Sequence, residues 1–298
     1  MAAKADTVSL RSENKLAGIL LYLFSLVLIV LISMIVKLTA ERVPINQILL
    51  FRFAFSLVPL VIIGLALQRP IVLKTARPLD HAIRTTMGMA GIGFFFFAVN
   101  KIPLATATAI AYSAPIFCVV FSIPLLGEKI GVRRWCAVVL GFLGVLVMTR
   151  PGAEVFGIGS LAGIASALGG AMVVIYLRKL GETEAPLTTS LFYNATGAIV
   201  FAAWTMAAGW SPLLVEDFLW LLLLGLIAGA QQLALAHAFR HAEATLLAPL
   251  EYLVLVFAAI AGFLIWGEIP NLETWIGGTI IAAAGLFMLH RQRVSGTP

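Results

Sequence analysis

Long runs of apolar residues alternate along this chain with short polar or charged stretches. A helix that crosses a membrane needs about 20 mostly apolar residues, and the pattern predicts ten such helices. In chain order they are Leu16–Val36, Ile45–Leu67, His81–Val99, Pro103–Leu126, Val132–Thr149, Gly157–Leu177, Pro186–Ala208, Phe218–Phe239, Ala244–Trp266 and Leu272–His290. The runs are continuous, whereas the strands of a membrane barrel alternate in hydrophobicity. The sequence therefore predicts an all-α integral membrane protein with short connections between its helices.

Composition supports the membrane assignment. Of the 298 residues, 61% are hydrophobic and 11% are charged, and the mean hydropathy is +1.03. A soluble domain is about 25% charged, so these values exclude a soluble globule and a disordered chain alike. Cys118 and Cys136 lie inside apolar runs, so we do not expect a disulfide framework. The first apolar run is longer than that of a signal peptide and no clear cleavage site follows it, so we interpret it as a helix.

Lysine and arginine residues set the expected orientation. With the N-terminus in the cytoplasm, 14 of the 20 basic residues fall on the cytoplasmic side and 4 on the opposite side, while Arg52 and Arg84 lie within predicted helices. Cytoplasmic loops of membrane proteins are enriched in these residues. We therefore expect both termini in the cytoplasm, with residues 1–15 and 291–298 as tails. The same enrichment accounts for the net charge of +6 without a nucleic-acid partner.

The two halves of the chain match at a constant offset of 140 residues. The clearest match is a Gly-Glu-x6-Trp pattern, which occurs at Gly127–Trp135 and again at Gly267–Trp275. Isolated Leu and Ala pairs at the same offset are weaker, because apolar helices match easily by chance. The offset predicts two five-helix repeats, residues 16–149 and residues 157–290.

An odd number of spans in each repeat implies that the repeats are inverted in the membrane. The charges agree, since the first copy of the pattern carries Lys129, Arg133 and Arg134 and the second copy carries no basic residue. Inverted repeats are typical of secondary transporters, which work by alternating access around a cavity near the midplane. We expect that mechanism here.

Several segments resemble a known family. Besides the two Gly-Glu loops, they are Arg52-Phe53, Ala98 with the segment Asn100–Leu104, and Ala248–Tyr252. A ten-helix chain with these features resembles the drug/metabolite transporter (DMT) superfamily, EamA type, over nearly all residues beyond Lys15. That family includes amino-acid exporters of the YddG type, S-adenosylmethionine carriers and, more distantly, nucleotide-sugar and triose-phosphate carriers.

The resemblance implies a basket-shaped bundle with a central cavity. Its third, fourth, eighth and ninth helices would line the cavity, the first and sixth would contribute, and the fifth and tenth would be peripheral. The sequence departs from internal symmetry at one position, because the equivalent of Arg52 in the second half is Phe192. The two halves are therefore not chemically equivalent.

Ionisable residues inside a membrane are costly, which makes Glu251 and Arg52 candidates for function. Glu251, beside the further candidate Tyr252, is expected to bind a substrate ammonium group, to take up a coupling proton, or to partner a donor on a neighbouring helix. Arg52 would meet a substrate carboxylate or, as the resemblance implies, serve structure. Both would be structural if they paired with each other. His237, near the membrane edge, is either a proton-sensitive group or an interfacial histidine.

The other candidates for substrate binding are neutral. Gln231 and Gln232, in the eighth predicted helix, have amides that bind either the substrate or a neighbouring helix. Thr108 and Tyr112 share one face of the fourth helix at i, i+4. Tyr112 with Ser113 would suit an aromatic or amphipathic ligand in an apolar pocket.

Aromatic and proline residues complete the set of candidates. Phe95 represents the Phe94–Phe97 run, of which at most one or two rings can line a cavity. Pro59, Pro115 and Pro249 remove helix hydrogen bonds, so they are candidate hinges. Transmembrane helices also tolerate proline without such a role.

The sequence contains no Walker A loop, no metal-ligand spacing and no hydrolase or metalloprotease motif. We therefore expect a transporter rather than an enzyme, with no cofactor, and acting as a multi-pass monomer in the inner membrane. The resemblance, together with candidate residues that combine Tyr, Gln and one Glu, implies export of small metabolites, with amino acids, aromatic or otherwise apolar, as first candidates. Alternatives are a carrier of S-adenosylmethionine or another small metabolite, and a channel-like or structural membrane protein without alternating access.

Overall fold

The computed structural model describes residues 14–66, 75–99, 101–102, 104–149, 157–267, 269 and 272–295. Helices form most of this part of the chain, and no strand occurs in it. The helices are α1 (Lys15–Thr39), α2 (Ile45–Ala66), α3 (Pro78–Val99), α4 (Leu104–Ala111), α5 (Ala114–Leu126), α6 (Val132–Thr149), α7 (Ile158–Leu180), α8 (Pro186–Ala208), α9 (Val215–His241), α10 (Ala244–Leu247), α11 (Leu253–Trp266) and α12 (Leu272–Ser295). A 3-10 helix covers Ala248–Tyr252.

Some of the predictions fall on residues outside the described ranges. They concern most of the N-terminal tail, the last residues of the C-terminal tail, and several loop positions. Arg69, Lys74 and Arg150 are among the basic residues counted for the orientation, Asn100 and Glu268 belong to the segments that carry the resemblance, and Pro103 begins the fourth predicted helix.

Eight segments of the described chain are long and apolar enough to cross a membrane. They are Lys15–Thr39, Ile45–Ala66, Thr106–Leu126, Val132–Thr149, Ile158–Leu180, Pro186–Ala208, Val215–His241 and Ala244–Ile265. Leu272–Phe287 is a shorter apolar stretch, and α3 carries the polar residues Asp80, His81 and Arg84 near its start. The helices form because each run satisfies its backbone hydrogen bonds internally, as a membrane requires. The chain is thus an all-helical protein with multiple membrane spans, while the count of ten remains a prediction.

Two of these apolar segments are interrupted, although the sequence predicts two continuous helices there. A turn at Tyr112–Ser113 separates α4 from α5, and the 3-10 helix separates α10 from α11. Pro115 and Pro249 explain the interruptions, because neither has the amide hydrogen that an α-helix would donate to the carbonyl four residues earlier. Hydropathy counts apolar residues and does not register the loss of one backbone donor, so this difference was not predicted.

The chain divides into two compact units, and each contains helices from both halves of the sequence. Unit 1 comprises Met1–Ala82 and Tyr176–Glu243, and unit 2 comprises Ile83–Ile175 and Ala244–Pro298. The units therefore do not coincide with the two sequence repeats.

Unit 1 is held together by α1, α2, α8 and α9. The Phe53 ring is fully buried and stacks on Phe201 with the ring centroids 5.2 Å apart. Gly197 makes this position available, because a Cβ there would lie 2.5 Å from Phe53 Cε1. A second cluster forms around Ile48 and Leu221.

Unit 2 brings α6 and α12 into close contact. A Cβ at Gly277 would lie 2.6 Å from the Gly144 carbonyl oxygen, so the two backbones can approach this closely only because both residues lack side chains. Gly141, one turn before Gly144, provides room for the Tyr252 ring, since a Cβ there would lie 2.7 Å from Tyr252 Cε2. These glycines position the 3-10 helix against α6.

The repeated Gly-Glu pattern ends a helix in each half. Gly127 and Gly267 both have φ of 65°, in the left-handed region where glycine is favoured. The next residue in the first half, Glu128, caps the start of α10. Its carboxylate accepts hydrogen bonds from the Ala244 amide at 3.0 Å and from the Thr245 amide at 3.1 Å. Through Glu128, the loop between α5 and α6 is thus hydrogen-bonded to the start of α10, the first helix of the second interrupted segment.

Candidate functional site

The two interruptions place two tyrosines at equivalent positions. Tyr112 lies in the turn between α4 and α5, and Tyr252 ends the 3-10 helix, 140 residues later. In unit 2 both belong to one apolar cluster with Val145 and Ile281. Discontinuous helices at membrane depth are tolerated where they are buried in protein or line a cavity. The interruption pair is therefore the strongest candidate site in this unit.

Glu251 places a carboxylate at this site. It is half-buried in the 3-10 helix, and it interacts electrostatically with the side chains of Tyr112, Tyr252 and Cys118. Within the described residues, its carboxylate forms no hydrogen bond and no ion pair. The carboxylate is thus partly exposed and has no cationic partner among the described residues. The arrangement leaves its binding capacity available.

Tyr252 follows Glu251 in the 3-10 helix. Its side chain is fully buried, and its hydroxyl has no hydrogen-bond partner in the described structure. An unpartnered buried hydroxyl is costly, and such groups call for a functional explanation. The sequence prediction of Tyr252 as a ligand contact rested on its neighbour Glu251; the structure adds the equivalence with Tyr112.

Thr108, Ser113, Pro115 and Pro249 lie at or beside the same interruptions. The Ser113 hydroxyl donates to the Ile110 carbonyl at 2.6 Å, so its proton is used within the turn. The Thr108 carbonyl accepts from the Tyr112 amide at 2.9 Å, which closes the last turn of α4. Pro115 is in the first turn of α5, and Pro249 lies within the 3-10 helix. These residues shape the backbone around the two tyrosines.

The predicted amides belong to a buried polar seam in unit 1. Gln231 and Gln232 are both buried on α9, and the Gln231 side-chain oxygen has no partner among the described residues. The Ser190 hydroxyl of α8 donates to the Gln232 carbonyl at 3.3 Å, and the Asn194 amide donates to the Ser190 carbonyl at 2.8 Å. Sequence reasoning missed Ser190, because a single serine in an apolar helix carries no distinctive signal.

Arg52 also lies in unit 1. Its guanidinium carbon lies 4.7 Å from the centroid of the adjacent Phe53 ring, and no described carboxylate pairs with it. Glu251 belongs to unit 2, so the predicted pairing of these two residues remains a prediction. His237 stacks on His241 with the ring centroids 6.3 Å apart.

The last two candidates are packed among apolar or small residues. Phe95 packs against Ala98, Ala107 and Ala162 in unit 2. Pro59 lies inside the continuous helix α2, where its ring faces Gly229. No interruption of α2 accompanies this proline, in contrast to Pro115 and Pro249.

Other places in unit 2 offer less chemistry. A cavity of about 310 Å³ lies between α6, α11 and α12, but its lining, which includes Met148, Phe263 and Trp275, carries no charged side chain. In the described part of the chain, no group of three or more His, Cys, Asp or Glu residues could hold a metal ion. Among the described residues at the two helix interruptions, Glu251 is the one with a charged side chain.

Comparison with protein families decides the class of this chain. The pattern of the EamA-like transporter family matches residues 16–150 and again residues 157–290. The chain belongs to the EamA-like transporter family. It is accordingly a multi-pass transporter of the inner membrane, with a small-molecule substrate, and not an enzyme.

Individual relatives extend over most of the chain. An S-adenosylmethionine uptake transporter of Rickettsia bellii is 31% identical over 277 residues, which cover 93% of this chain and 94% of the relative. A pseudopaline exporter of Pseudomonas aeruginosa is 26% identical over 278 residues, covering 93% and 97%. A solved crystal structure with 20% identity matches with a TM-score of 0.79, over 94% of this chain and 99% of that chain. The last similarity shows a shared fold alone.

Proposed function

We propose that this EamA-like transporter is a secondary or facilitative carrier that moves a small metabolite with an α-amino-acid group by alternating access. In this proposal ten helices form two inverted five-helix repeats, and both termini are cytoplasmic. Each cycle exposes the central site to one side of the membrane and then to the other. The observation that carries the proposal is the pair of helix interruptions at equivalent positions, one of which holds Glu251.

Transporters of this kind commonly bind substrates where helices are discontinuous, because free backbone groups and helix termini become available there. The turn between α4 and α5 and the 3-10 helix before α11 fit that description. The turn also contains Tyr112, a half-buried residue whose ring can pack against an apolar or aromatic ligand. These features support a substrate with both a polar head and an apolar body.

S-adenosylmethionine is the first substrate that we would test. The relatives that are 30–31% identical over nearly the whole chain are S-adenosylmethionine uptake transporters. Free amino acids, especially aromatic or apolar ones, are the second candidate, which the sequence itself suggested. The two candidates share the α-amino-acid group that a carboxylate such as Glu251 can engage.

The direction of transport follows from gradients. The relatives include both an uptake transporter and an exporter. A carrier without coupling runs in either direction. The expected export would therefore depend on the gradients in the cell, and the binding site itself does not fix the direction.

Counterflow in proteoliposomes tests the carrier proposal. Vesicles are loaded with unlabelled S-adenosylmethionine or with a mixture of amino acids, and uptake of labelled S-adenosylmethionine, phenylalanine, methionine and threonine is followed. We expect saturable uptake that the internal substrate stimulates. Uptake no greater than in protein-free vesicles, with folded protein, would reject these substrates. Uptake without stimulation would favour the channel-like alternative.

The inverted arrangement has its own test. Lys129 and Ile269 lie 140 residues apart, at equivalent and exposed positions of the two Gly-Glu loops. In a background in which serine replaces Cys118 and Cys136, we expect K129C to react with an impermeant maleimide only from the cytoplasmic side and I269C only from the opposite side. Labelling of both variants from the same side would contradict inversion.

A further inference from the structure

Glu251 is the sole charged residue in the two interrupted segments. Residues 104–126 contain no Asp, Glu, Lys or Arg, and residues 244–266 contain Glu251 alone. The carboxylate has no cationic partner in the described structure. Glu251 directly precedes Tyr252 in the 3-10 helix, and the Tyr112 ring packs in the same cluster as Tyr252. A carboxylate with aromatic rings around it and no counterion has the composition of a site for an organic cation.

We propose that Glu251 and Tyr112 recognise a positively charged centre on the substrate, an ammonium or a sulfonium group. The carboxylate supplies the opposite charge, and the Tyr112 ring supplies a π face. A sulfonium group has no N–H to donate, so charge and aromatic faces are the interactions open to it. This inference rests on the proposed carrier function and adds the feature of the substrate that the site selects.

The burial pattern assigns different parts to the two tyrosines. Tyr112 is half-buried, as Glu251 is, so both can meet a ligand, whereas Tyr252 is fully buried against Gly141. Tyr252 therefore acts as a positioning residue that holds the 3-10 helix and the carboxylate in place.

Both repeats contain the tyrosine, as Tyr112 and Tyr252, but only the second repeat contains the carboxylate. The position equivalent to Glu251 is Ala111. A carrier with two equivalent cation sites would need a carboxylate in both interruptions. We therefore expect one cationic centre to be bound per protein molecule.

Binding measurements with matched ligands test this inference. The purified protein in lipid nanodiscs is titrated calorimetrically with S-adenosylmethionine and with S-adenosylhomocysteine, whose sulfur is neutral. L-phenylalaninamide, a cation, is compared in the same way with neutral N-acetyl-L-phenylalaninamide. We expect L-phenylalaninamide to bind at least about tenfold more tightly than its neutral counterpart. S-adenosylmethionine should show the same preference over S-adenosylhomocysteine if the site recognises the sulfonium group, and none if it recognises the ammonium group that both ligands carry. Failure of both cations to bind, or equal affinities within each pair, would overturn the inference.

Substitutions of Glu251 test whether this residue causes the preference for the cationic ligands. Glu251→Gln should reduce the ratio of affinities to near one, Glu251→Asp should restore part of it, and the exposed control Glu182→Gln should leave it unchanged. If Glu251→Gln still prefers the cationic ligands as strongly as the wild type, another group recognises the positive charge and the inference is wrong. If Glu251→Gln does not fold, Tyr112→Leu provides the second test against Tyr112→Phe. Loss of the aromatic ring should weaken binding of the cations selectively, and an equal loss for all four ligands would reject the site.

The outcome separates the two proposals. Charge-selective binding that depends on Glu251, without counterflow, would reject the carrier and retain the recognition site. Counterflow without charge selectivity would retain the carrier and reject the recognition site.

Discussion

The Glu128 carboxylate accepts a hydrogen bond from the Thr245 hydroxyl at 2.5 Å, in addition to those from the Thr245 and Ala244 amides. The Arg134 guanidinium also donates to the Thr245 hydroxyl oxygen, at 2.6 Å. The first amides of a helix have no partner within it, and a carboxylate there both accepts from them and complements the helix dipole. Glu128 therefore fixes the start of the segment that leads into Glu251.

Replacement of Glu128 by alanine should destabilise the protein. The change removes three acceptor contacts and leaves two amides and a buried hydroxyl without that partner, so we expect a loss of about 1–3 kcal/mol. Thermal unfolding in detergent measures it. Glu182→Ala, which removes an exposed carboxylate from a turn, is the matched control and should leave the midpoint unchanged. Equal midpoints for the two variants would show that the cap contributes nothing.

Replacement of Gly141 by alanine should displace Tyr252. The added methyl group would overlap the Tyr252 ring, and overpacking of this kind costs about 1–3 kcal/mol. Counterflow should fall with stability, because the 3-10 helix shifts. Gly93→Ala is the matched control, since no atom lies within 4 Å of a Cβ at Gly93, and alanine is favoured over glycine in a helix. A Gly141 variant as stable and active as the Gly93 variant would contradict the packing argument.

The sequence predicted the helices well where hydrophobicity alone decides them. The bounds Val132–Thr149 and Pro186–Ala208 agree with α6 and α8 residue for residue, and Ile45 begins α2 as expected. Hydropathy could not predict the two helix interruptions, although the sequence analysis identified Pro115 and Pro249 as candidate hinges. Pro59 shows why proline alone is insufficient, because α2 continues through it.

The candidate site could be predicted in its residues better than in its arrangement. Glu251, Tyr252 and Tyr112 were identified from charge and residue type. Their grouping around two equivalent interruptions depends on backbone conformation and on Gly141, which residue type alone does not distinguish from the other glycines of the helices. The capping role of Glu128 was likewise hidden, since its partners lie more than 100 residues away in the sequence.

Binding of a cation should depend on pH through Glu251. A carboxylate binds a cation only when it is ionised, so affinity for S-adenosylmethionine should fall as the pH is lowered through the range in which Glu251 takes up a proton, while the fixed sulfonium charge stays constant. The other titratable groups facing Glu251 are Tyr112, Cys118 and Tyr252, which carry no charge in this range. Calorimetric titrations at a series of pH values measure the effect.

Glu251→Gln should remove this pH dependence, and it should do the same for transport if the carboxyl group also couples a proton. Glu182→Gln should keep the wild-type profile. A profile that is unchanged in Glu251→Gln would assign the titration to another group and end the coupling hypothesis.

Arg52, in unit 1, gives a separate prediction for ligands that carry a carboxylate. Its guanidinium lies on the Phe53 ring and pairs with no described carboxylate, so a substrate carboxylate can bind it. We expect Arg52→Gln to weaken binding of methionine about tenfold, the range of one charged hydrogen bond, and to leave methionine methyl ester nearly unaffected. Equal losses for both ligands, with a lower unfolding midpoint, would indicate the structural role that the family resemblance suggests.

The interleaving of the two compact units has a consequence for biosynthesis. The ribosome delivers α1 and α2 first, then residues 83–175, which belong to unit 2, and only afterwards α8 and α9, with which α1 and α2 pack. Unit 1 cannot be completed before α9, which ends at His241, has been synthesised, and unit 2 cannot be completed before α12 has been synthesised. A nascent chain that stops after the first repeat therefore completes neither unit, and its early helices must remain unassembled in the bilayer until the second repeat is made.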